Sequence, residues 1–250
     1  MKKRSLLLAT LVSFTVLALG VGSAIAATIS MSHDYSEGHV DVMLFNGLEE
    51  PKTDEDNIAE GDNEDHYVYA NVDAYGSNVH AERHSGYVAE GKFAGITLYG
   101  GDHATLASNV TASTGGEITS YYNLSISSDY GSSGPVSVHI VINEEDLPGG
   151  EFSSFSIRKD NYYHTDVFQW CSGGGDFDDY IMLDYSEPYI VEAYLTYGFF
   201  EQESSFDFGI TQSMQMTAEE TPVPIPGAIW LLGSGLIGLV AVRRKHNNMS

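Results

Sequence analysis

Apolar residues recur at every second position in several short stretches of this chain, and this period constrains its fold more than any other feature. The stretches are 68–74, 118–126, 135–143, 189–197 and 206–216. Successive side chains of a β-strand point to opposite sides, so this period is typical of strands with one buried face. Glycine-rich or proline-containing clusters indicate turns between them: Gly100-Gly101-Asp102, Gly115-Gly116, Ser128 to Pro135, Pro148-Gly149-Gly150 and Gly173-Gly174-Gly175. Short strands separated in this way predict an all-β fold, an antiparallel β-sandwich or jelly roll.

The predicted β-domain spans 27–221, and its length is that of one domain with a hydrophobic core. No long amphipathic helix is evident within it. The two ends of the chain have a different character, and each resembles a targeting segment.

The amino terminus has the three parts of a secretory signal peptide. Lys2-Lys3-Arg4 form a positive region, Leu6 to Gly22 form an apolar region, and Ala24 and Ala26 match the small residues of a cleavage site. We therefore expect residues 1–26 to be removed and Ala27 to begin the mature chain. The alternative is an uncleaved amino-terminal anchor.

The carboxy terminus, 222–246, combines three further elements. An uncharged apolar run over 225–242 is long enough for a short transmembrane helix. The prolines at the start of this run keep the backbone extended, because proline restricts the preceding residue to extended conformations. A basic cluster follows it. The motif residues are Val223, Pro224, Ile225, Pro226, Arg243, Arg244 and Lys245.

Charge is distributed asymmetrically about this apolar run. All 35 acidic residues lie between Asp34 and Glu220, whereas only five of the 11 basic residues lie there. The positive-inside tendency places the terminal basic cluster in the cytoplasm and the acidic domain outside it. The acidic domain repels phosphate backbones, which argues against nucleic-acid binding. A solvated acidic coat is the simplest use of these charges, and divalent cations or basic partners are the alternative.

The tail resembles a PEP-CTERM sorting signal, with its Pro-x-Pro motif, short apolar helix and Arg-rich end. The resemblance covers about the last 25 residues, and Ile225 stands where the usual signal has Glu. It implies that an exosortase, a membrane transpeptidase, recognises and cuts the tail. It also implies an exported protein that is first tethered to the inner membrane and then reaches the cell surface or extracellular matrix. Uncut, the tail would be a plain membrane anchor.

Residues 49–65 hold nine acids and one lysine, and we expect a long exposed loop there. Carboxylate oxygens are calcium ligands, although the spacing differs from that of an EF-hand. Asp54, Asp56, Asp62 and Asp65 are the calcium candidates in this segment. Asp176, Asp178 and Asp179 form a second candidate group after three glycines.

His80 and His84 are four residues apart. On a strand they share a face but lie about 13 Å apart, too far to bind one zinc ion together. No catalytic motif stands out, so no catalytic residue and no cofactor besides calcium is expected. The single cysteine, Cys171, is expected to be buried beside Trp170, the alternatives being a free thiol or an intermolecular bridge.

Aromatic residues are frequent between 152 and 208, and some of them, such as Tyr194, must face outward. Exposed aromatic rings can stack on sugars, but aromatic residues are also ordinary strand residues. The sequence therefore predicts a non-enzymatic surface or matrix component. The alternatives are a glycan- or calcium-binding module and, with least support, a secreted hydrolase.

Overall fold

A computed structural model describes most of the predicted β-domain and three residues outside it. The described residues are 24–25, 27–59, 65–128, 134–143, 152–161, 163, 165–200, 202–219 and 221–222. The chain divides into two units, Met1–Ile25 with Glu220–Ser250, and Ala26–Glu219. In the first unit, the described residues form two short antiparallel strands, β1 (Ala24–Ile25) and β14 (Thr221–Pro222).

Within its described residues, the second unit consists of strands joined by turns and loops. In chain order the strands are β2 (Ala27–Phe45), β3 (Lys52–Ala59), β4 (Asp65–Ala74), β5 (Ser77–Glu90), β6 (Phe93–Thr105), β7 (Thr111–Ser128), β8 (Pro135–Asn143), β9 (Phe152–Lys159), β10 (Asp166–Cys171), β11 (Phe177–Asp184), β12 (Pro188–Thr196) and β13 (Phe206–Ala218). The prediction of an all-β fold is confirmed. No helix in the described part of the chain is both long and apolar enough to cross a membrane.

The strands form two six-stranded sheets, and every pairing within them is antiparallel. The first sheet has the order β10-β9-β12-β7-β2-β3, and the second has the order β11-β8-β13-β6-β5-β4. Buried side chains from both sheets belong to one hydrophobic cluster, which includes Ile118 and Leu124 of the first sheet and Ile96 and Met214 of the second. This architecture is consistent with the predicted β-sandwich.

The apolar residues that recur at every second position form the buried face of each sheet. In β8, Val136, Val138, Ile140 and Ile142 are buried, and the residues between them are more accessible. The predicted inward residues of β12 are buried in the same way. Burying such apolar side chains is the main force that holds two sheets together. Phe208 of β13 departs from this pattern, since it is 45% exposed. Its ring contacts that of Phe199.

The core has two hydrophobic clusters, and polar residues occupy the strand positions between them. Along β5, Val79 and Ala81 belong to one cluster and Tyr87 packs against the other, with Arg83 and Ser85 buried between. Hydrogen bonds across this polar region connect strands that are distant in sequence. Ser85 bonds the Tyr122 hydroxyl at 2.5 Å, and Ser36 bonds Ser120 at 2.6 Å.

Arg83 and Asp102 form a fully buried ion pair in this polar region, with 2.7 Å between Arg83 Nη1 and Asp102 Oδ1. Thr114 donates a hydrogen bond to the other carboxylate oxygen at 2.6 Å, and Arg83 also donates to the carbonyl of Tyr197. Burial raises the pKa of Asp102, while Arg83 and Thr114 offset part of this effect. Because a buried charge needs a partner, the pair fixes how β5 and β6 meet the first sheet.

The acidic segment 49–65 is not a loop over its central part, so that prediction was wrong there. Lys52–Ala59 form the edge strand β3, which pairs with β2. The exposure was predicted correctly, since residues 51–57 are exposed. An edge strand needs to bury little surface, and charged side chains on it discourage pairing with other chains. This explains why a composition unsuited to a core still forms a strand.

Two of the predicted turns lie inside strands. Gly100-Gly101-Asp102 belongs to β6, and Gly115-Gly116 belongs to β7. These glycines allow close approach rather than reversal of the chain: a Cβ on Gly116 would lie 2.5 Å from the carbonyl oxygen of His39. Gly173-Gly174-Gly175 does form the turn between β10 and β11.

Cys171 is exposed, contrary to the expectation of burial. It follows Trp170 in β10, and neighbouring residues of a strand point to opposite sides. Since Trp170 is buried, Cys171 faces outward.

Candidate functional site

The outer face of the second sheet carries a concentration of tyrosine, histidine and carboxylate side chains, which we call the tyrosine–histidine face. It comprises Tyr67, Tyr69, Asn71, His80, Glu82, His84, Tyr99, Gly101, His103, Asp207 and Gly209. Four neighbouring strands, β4, β5, β6 and β13, supply these residues. The same alternation that turns their apolar residues inward turns these residues outward.

Strand register arranges the face in three rows, each crossing the sheet. The first row is Tyr67, His84 and Tyr99; the second is Tyr69, Glu82, Gly101 and Gly209; the third is Asn71, His80, His103 and Asp207. Directly opposed side chains on antiparallel strands lie about 5 Å apart at Cβ, so members of one row can contact each other. The glycines of the middle row leave space beside Glu82.

Tyr99 occupies this space. A Cβ added to Gly101 would lie 2.5 Å from the Tyr99 hydroxyl oxygen and 3.0 Å from two ring carbons. A Cβ added to Gly209 would lie 3.1 Å from the same hydroxyl. The ring therefore lies across both glycines instead of standing away from the sheet. Because Tyr99 is half-buried, this geometry presents an aromatic platform supported from below by backbone.

Glu82 lies beside the hydroxyl end of this platform. The Tyr67 hydroxyl donates to its carboxylate at 3.3 Å. The Tyr99 hydroxyl lies over Gly101, the residue that pairs with Glu82 across the two strands. His84 Nε2 is 3.7 Å from Glu82 Oε2. Burial, followed by Glu82, raises the pKa of Tyr67 to about 12 and shifts the pKa of Tyr99 in the same direction. Both phenols therefore stay protonated at neutral pH and act as donors.

The third row stacks imidazoles next to a carboxylate. The rings of His80 and His103 lie 5.1 Å apart in a stacked arrangement, and Tyr69 contacts His80 at 5.9 Å between ring centroids. His103 Nδ1 lies 3.5 Å from Asp207 Oδ1. Tyr67 and Tyr69 of the edge strand β4 are 46% and 38% exposed, so this side of the face is accessible to a ligand.

The buried ion pair lies beneath this face and positions it. Arg83 is between Glu82 and His84 in β5, and Asp102 is between Gly101 and His103 in β6. Each therefore points inward where its neighbours point outward. By joining β5 to β6 from below, the pair holds the register that brings Glu82 opposite Gly101.

Asp54 and Asp56, two of the calcium candidates, have a structural role at the edges of the two sheets. Asp54 accepts a hydrogen bond from the backbone N–H of Asn71 at 2.9 Å, and Asp56 accepts one from that of Tyr69 at 3.3 Å. Asp54 and Asp56 thus connect β3 of the first sheet to the edge of β4 in the second. Asp65 begins β4, and Asp62 lies outside the described residues.

The second calcium group does not converge on one point. Asp178 contacts His139 Nε2 at 2.6 Å, and Asp179 accepts a hydrogen bond from the N–H of Tyr180 at 2.7 Å. Asp176 precedes β11 and is exposed. Among the residues that the structure describes, no group of three or more His, Cys, Asp or Glu side chains is arranged to hold a metal ion.

His80 and His84 lie on the same face of β5, as the strand interpretation predicted. Their nearest aromatic partners are on other strands: His103 for His80 and Tyr67 for His84. The sequence spacing therefore identified the face but not the contacts.

The outer face of the first sheet is a second aromatic surface, but charged groups occupy it. Tyr35 stacks on Tyr121 at 4.3 Å, and the Arg158 guanidinium lies over Tyr121 while it pairs with Glu192 at 3.0 Å. Tyr194 faces outward as predicted and donates to Glu117 at 2.7 Å. Seven of the other described aromatics between 152 and 208 are buried in the core: Phe155, Phe168, Trp170, Tyr185, Tyr189, Tyr197 and Phe206.

A cleft of about 300 Å³ lies near one end of the domain, and among the described residues that line it Glu203 is the one titratable residue. Its other lining residues are Phe45, Asn46, Gly47, Asn109, Val110 and Thr111. This lining does not provide two convergent acid–base groups.

The predicted processing sites lie largely outside the described residues. Val223, Pro224, Ile225 and Pro226 are not described, nor are Arg243, Arg244 and Lys245. At the predicted signal cleavage site, Ala24 is in β1, Ala26 is not described, and Ala27 begins β2.

The tyrosine–histidine face was missed in the sequence because Gly101 was interpreted as a turn residue. Gly101 lies in a run that continues the alternation of Ile96, Leu98 and Ala104, which was the available signal. A glycine inside a strand indicates close approach of another group, here the Tyr99 ring.

Comparisons of the chain with protein-family models, with curated proteins and with solved structures found no match.

Proposed function

We propose that this chain is an exported surface or matrix protein whose β-domain binds polysaccharide without catalysing a reaction. The observation that carries the binding function is the Tyr99 ring supported on Gly101 and Gly209, with Glu82 at its hydroxyl end. A sugar ring can stack its apolar face on such a platform while its hydroxyls bond nearby carboxylate and imidazole groups. The outer face of the second sheet is favoured over that of the first sheet because, on the first sheet, Arg158 already covers the Tyr121 ring.

The chain ends support the proposed route of delivery. A signal peptide over 1–26 would direct export, and the tail over 222–246 would hold the precursor in the inner membrane until an exosortase-like enzyme cuts it. The protein would then reach the cell surface or the extracellular polysaccharide. Mass spectrometry of the mature chain, with and without the processing enzyme, tests this step. An intact carboxy terminus in both samples would reduce the tail to a simple anchor.

We further propose that the sandwich is a jelly roll over β6 to β13. In the first sheet β12 lies between β7 and β9, and in the second β13 lies between β6 and β8. This nested order is that of two Greek keys folded together. Strands β2 to β5 would then extend the two sheets at one side, and β4 and β5 would supply half of the strands that form the tyrosine–histidine face.

A glycan array tests the binding function. The full chain, kept in mild detergent because of its apolar ends, should bind at least one polysaccharide on the array. Tyr99→Ala should remove that signal, because it deletes the platform. Tyr194→Ala is the matched control, since it deletes a half-buried tyrosine bonded to a glutamate on the outer face of the first sheet. An unchanged signal for Tyr99→Ala, or no signal for the wild type, would contradict the proposal.

A further inference from the structure

The fixed charges on the tyrosine–histidine face have one sign. Its carboxylates are Glu82 and Asp207, and the four strands that form it contain a single Lys or Arg, Arg83. Arg83 points inward, is completely buried and pairs with Asp102. A ligand on this face therefore meets carboxylates and imidazoles without any lysine or arginine.

Glu82 is the best placed of these carboxylates for recognising a cation. Its side chain remains 25% exposed, and the Tyr67 hydroxyl orients it by a hydrogen bond. The Tyr99 ring lies over Gly101, which pairs with Glu82 across the two strands. A carboxylate bordered by tyrosine rings attracts an ammonium group through both the direct charge and the negative faces of the rings. Because a phenol orients the carboxylate and no guanidinium among the described residues pairs with it, its charge remains available for a ligand.

We propose that the tyrosine–histidine face selects polysaccharides that carry free amino groups. This inference rests on the proposed function and specifies its ligand. A sugar ring stacked on Tyr99 places a ring substituent near the hydroxyl end of that tyrosine, where Glu82 lies. An ammonium substituent there forms a charge-assisted hydrogen bond, whereas a uronic-acid carboxylate is repelled. The strongly acidic domain adds to this selectivity, since it attracts polycations and repels polyuronates over longer distances.

Calorimetric titration of the full chain in mild detergent tests this selectivity. The probes are β-linked glucosamine hexasaccharide, the matching N-acetylglucosamine hexasaccharide and a galacturonate hexasaccharide, at a pH where the amines are protonated. We expect the glucosamine probe to bind at least about tenfold more tightly than the acetylated one, a difference of roughly 1.4 kcal/mol. We expect no measurable heat with the galacturonate probe.

Two isosteric variants separate recognition at Glu82 from general attraction. Glu82→Gln should reduce the preference for the amine to within about twofold, because it removes one charge and preserves the Tyr99 platform. Glu117→Gln should leave the preference unchanged. It is a matched control, since Glu117 also accepts a tyrosine hydroxyl and lies near a histidine, but on the first sheet.

The outcomes distinguish this inference from the proposed function. Equal affinity for the amino and acetylated probes, with binding lost in Tyr99→Ala, would overturn the selectivity and leave glycan binding intact. If Glu82→Gln and Glu117→Gln changed the preference for the amine equally, the domain would attract polycations in general. That result would also overturn the proposed selectivity. Tight Glu82-dependent binding of hexalysine would assign the face to basic peptides instead. Absence of binding to all probes and to the glycan array would remove both proposals.

Discussion

The hydroxyl of Tyr99 lies 2.5 Å from the point where a Cβ on Gly101 would stand, so the tyrosine keeps its position because residue 101 has no side chain. Gly209 on the neighbouring strand supports the same ring. Two glycines inside strands, which weaken a sheet by themselves, here create the platform on which the proposed binding depends.

Gly101→Ala should therefore displace the Tyr99 ring and weaken glycan binding by about tenfold, equivalent to about 1.4 kcal/mol. The added methyl group meets the far end of a side chain, which can rotate, so the fold should persist. Gly95→Ala provides the control, since its Cβ would meet the far end of the Phe93 side chain in the same strand at 3.3 Å, away from the platform. Equal binding by both variants would show that ring position is unimportant.

Breaking the Arg83–Asp102 pair should destabilise the domain severely. Asp102→Asn leaves a buried guanidinium without its counter-charge, and we expect a loss of about 3–5 kcal/mol in the free energy of unfolding. Thr114→Ala removes one hydrogen bond to the same carboxylate and should cost about 1–3 kcal/mol. Urea denaturation of both variants gives these values. A loss below about 1 kcal/mol for Asp102→Asn would contradict the role given to the pair.

Tyr67 should ionise near pH 12, because burial and Glu82 both disfavour the phenolate. Absorbance titration of the wild type, minus that of Tyr67→Phe, isolates this group. The folded pKa lies above the ordinary tyrosine value of 10.0, so the stability contributed by Tyr67 is complete below pH 10 and is lost as the pH rises towards 12. Glu82→Gln should lower the pKa of Tyr67. If Tyr67 of the wild type ionised at the ordinary tyrosine pKa of 10.0, the contact with Glu82 would be ruled out.

Asp54 and Asp56 should protect two backbone amides of β4 from hydrogen exchange. Replacing both with alanine removes the acceptors of the Asn71 and Tyr69 N–H groups and should accelerate exchange at these two positions. Replacing both with asparagine retains an acceptor oxygen and should restore much of the protection. Unchanged exchange in the alanine variant would mean that the two carboxylates do not hold the sheet edge.

Cys171 should react with a thiol reagent in the native protein, since it is exposed at the end of β10. The expected stoichiometry is one thiol per chain before denaturation, because the sequence has one cysteine. Cys171→Ser should abolish the reaction. Reactivity that appears only in denaturant would instead support the burial beside Trp170 that the sequence suggested.

Local patterns predicted the all-β class and much of the core, because burial of one strand face leaves a two-residue period. Val136, Val138, Ile140 and Ile142 show how directly this works. Residues whose role depends on a distant strand were not predictable in this way. Gly101 looked like a turn because Tyr99 and Gly209 meet it only after the sheet has formed, and 52–59 looked like a loop because β2 supplies its pairing.

The contacts within the candidate site also depend on distant strands and could not be predicted for the same reason. His80 and His84 were placed correctly on one face, yet their partners His103 and Tyr67 come from strands whose register no local pattern specifies. Register follows from the packing of all strands together, here including the buried Arg83–Asp102 pair.

The dissociation constant of the full chain for the best ligand on the glycan array, measured for the wild type and for Tyr99→Ala, tests the central claim most directly. The tyrosine–histidine face predicts affinity at least about tenfold weaker for Tyr99→Ala, with Tyr194→Ala within about twofold of the wild type. Equal affinity of the wild type and Tyr99→Ala, or a larger loss in Tyr194→Ala, would contradict the assignment of glycan binding to this face.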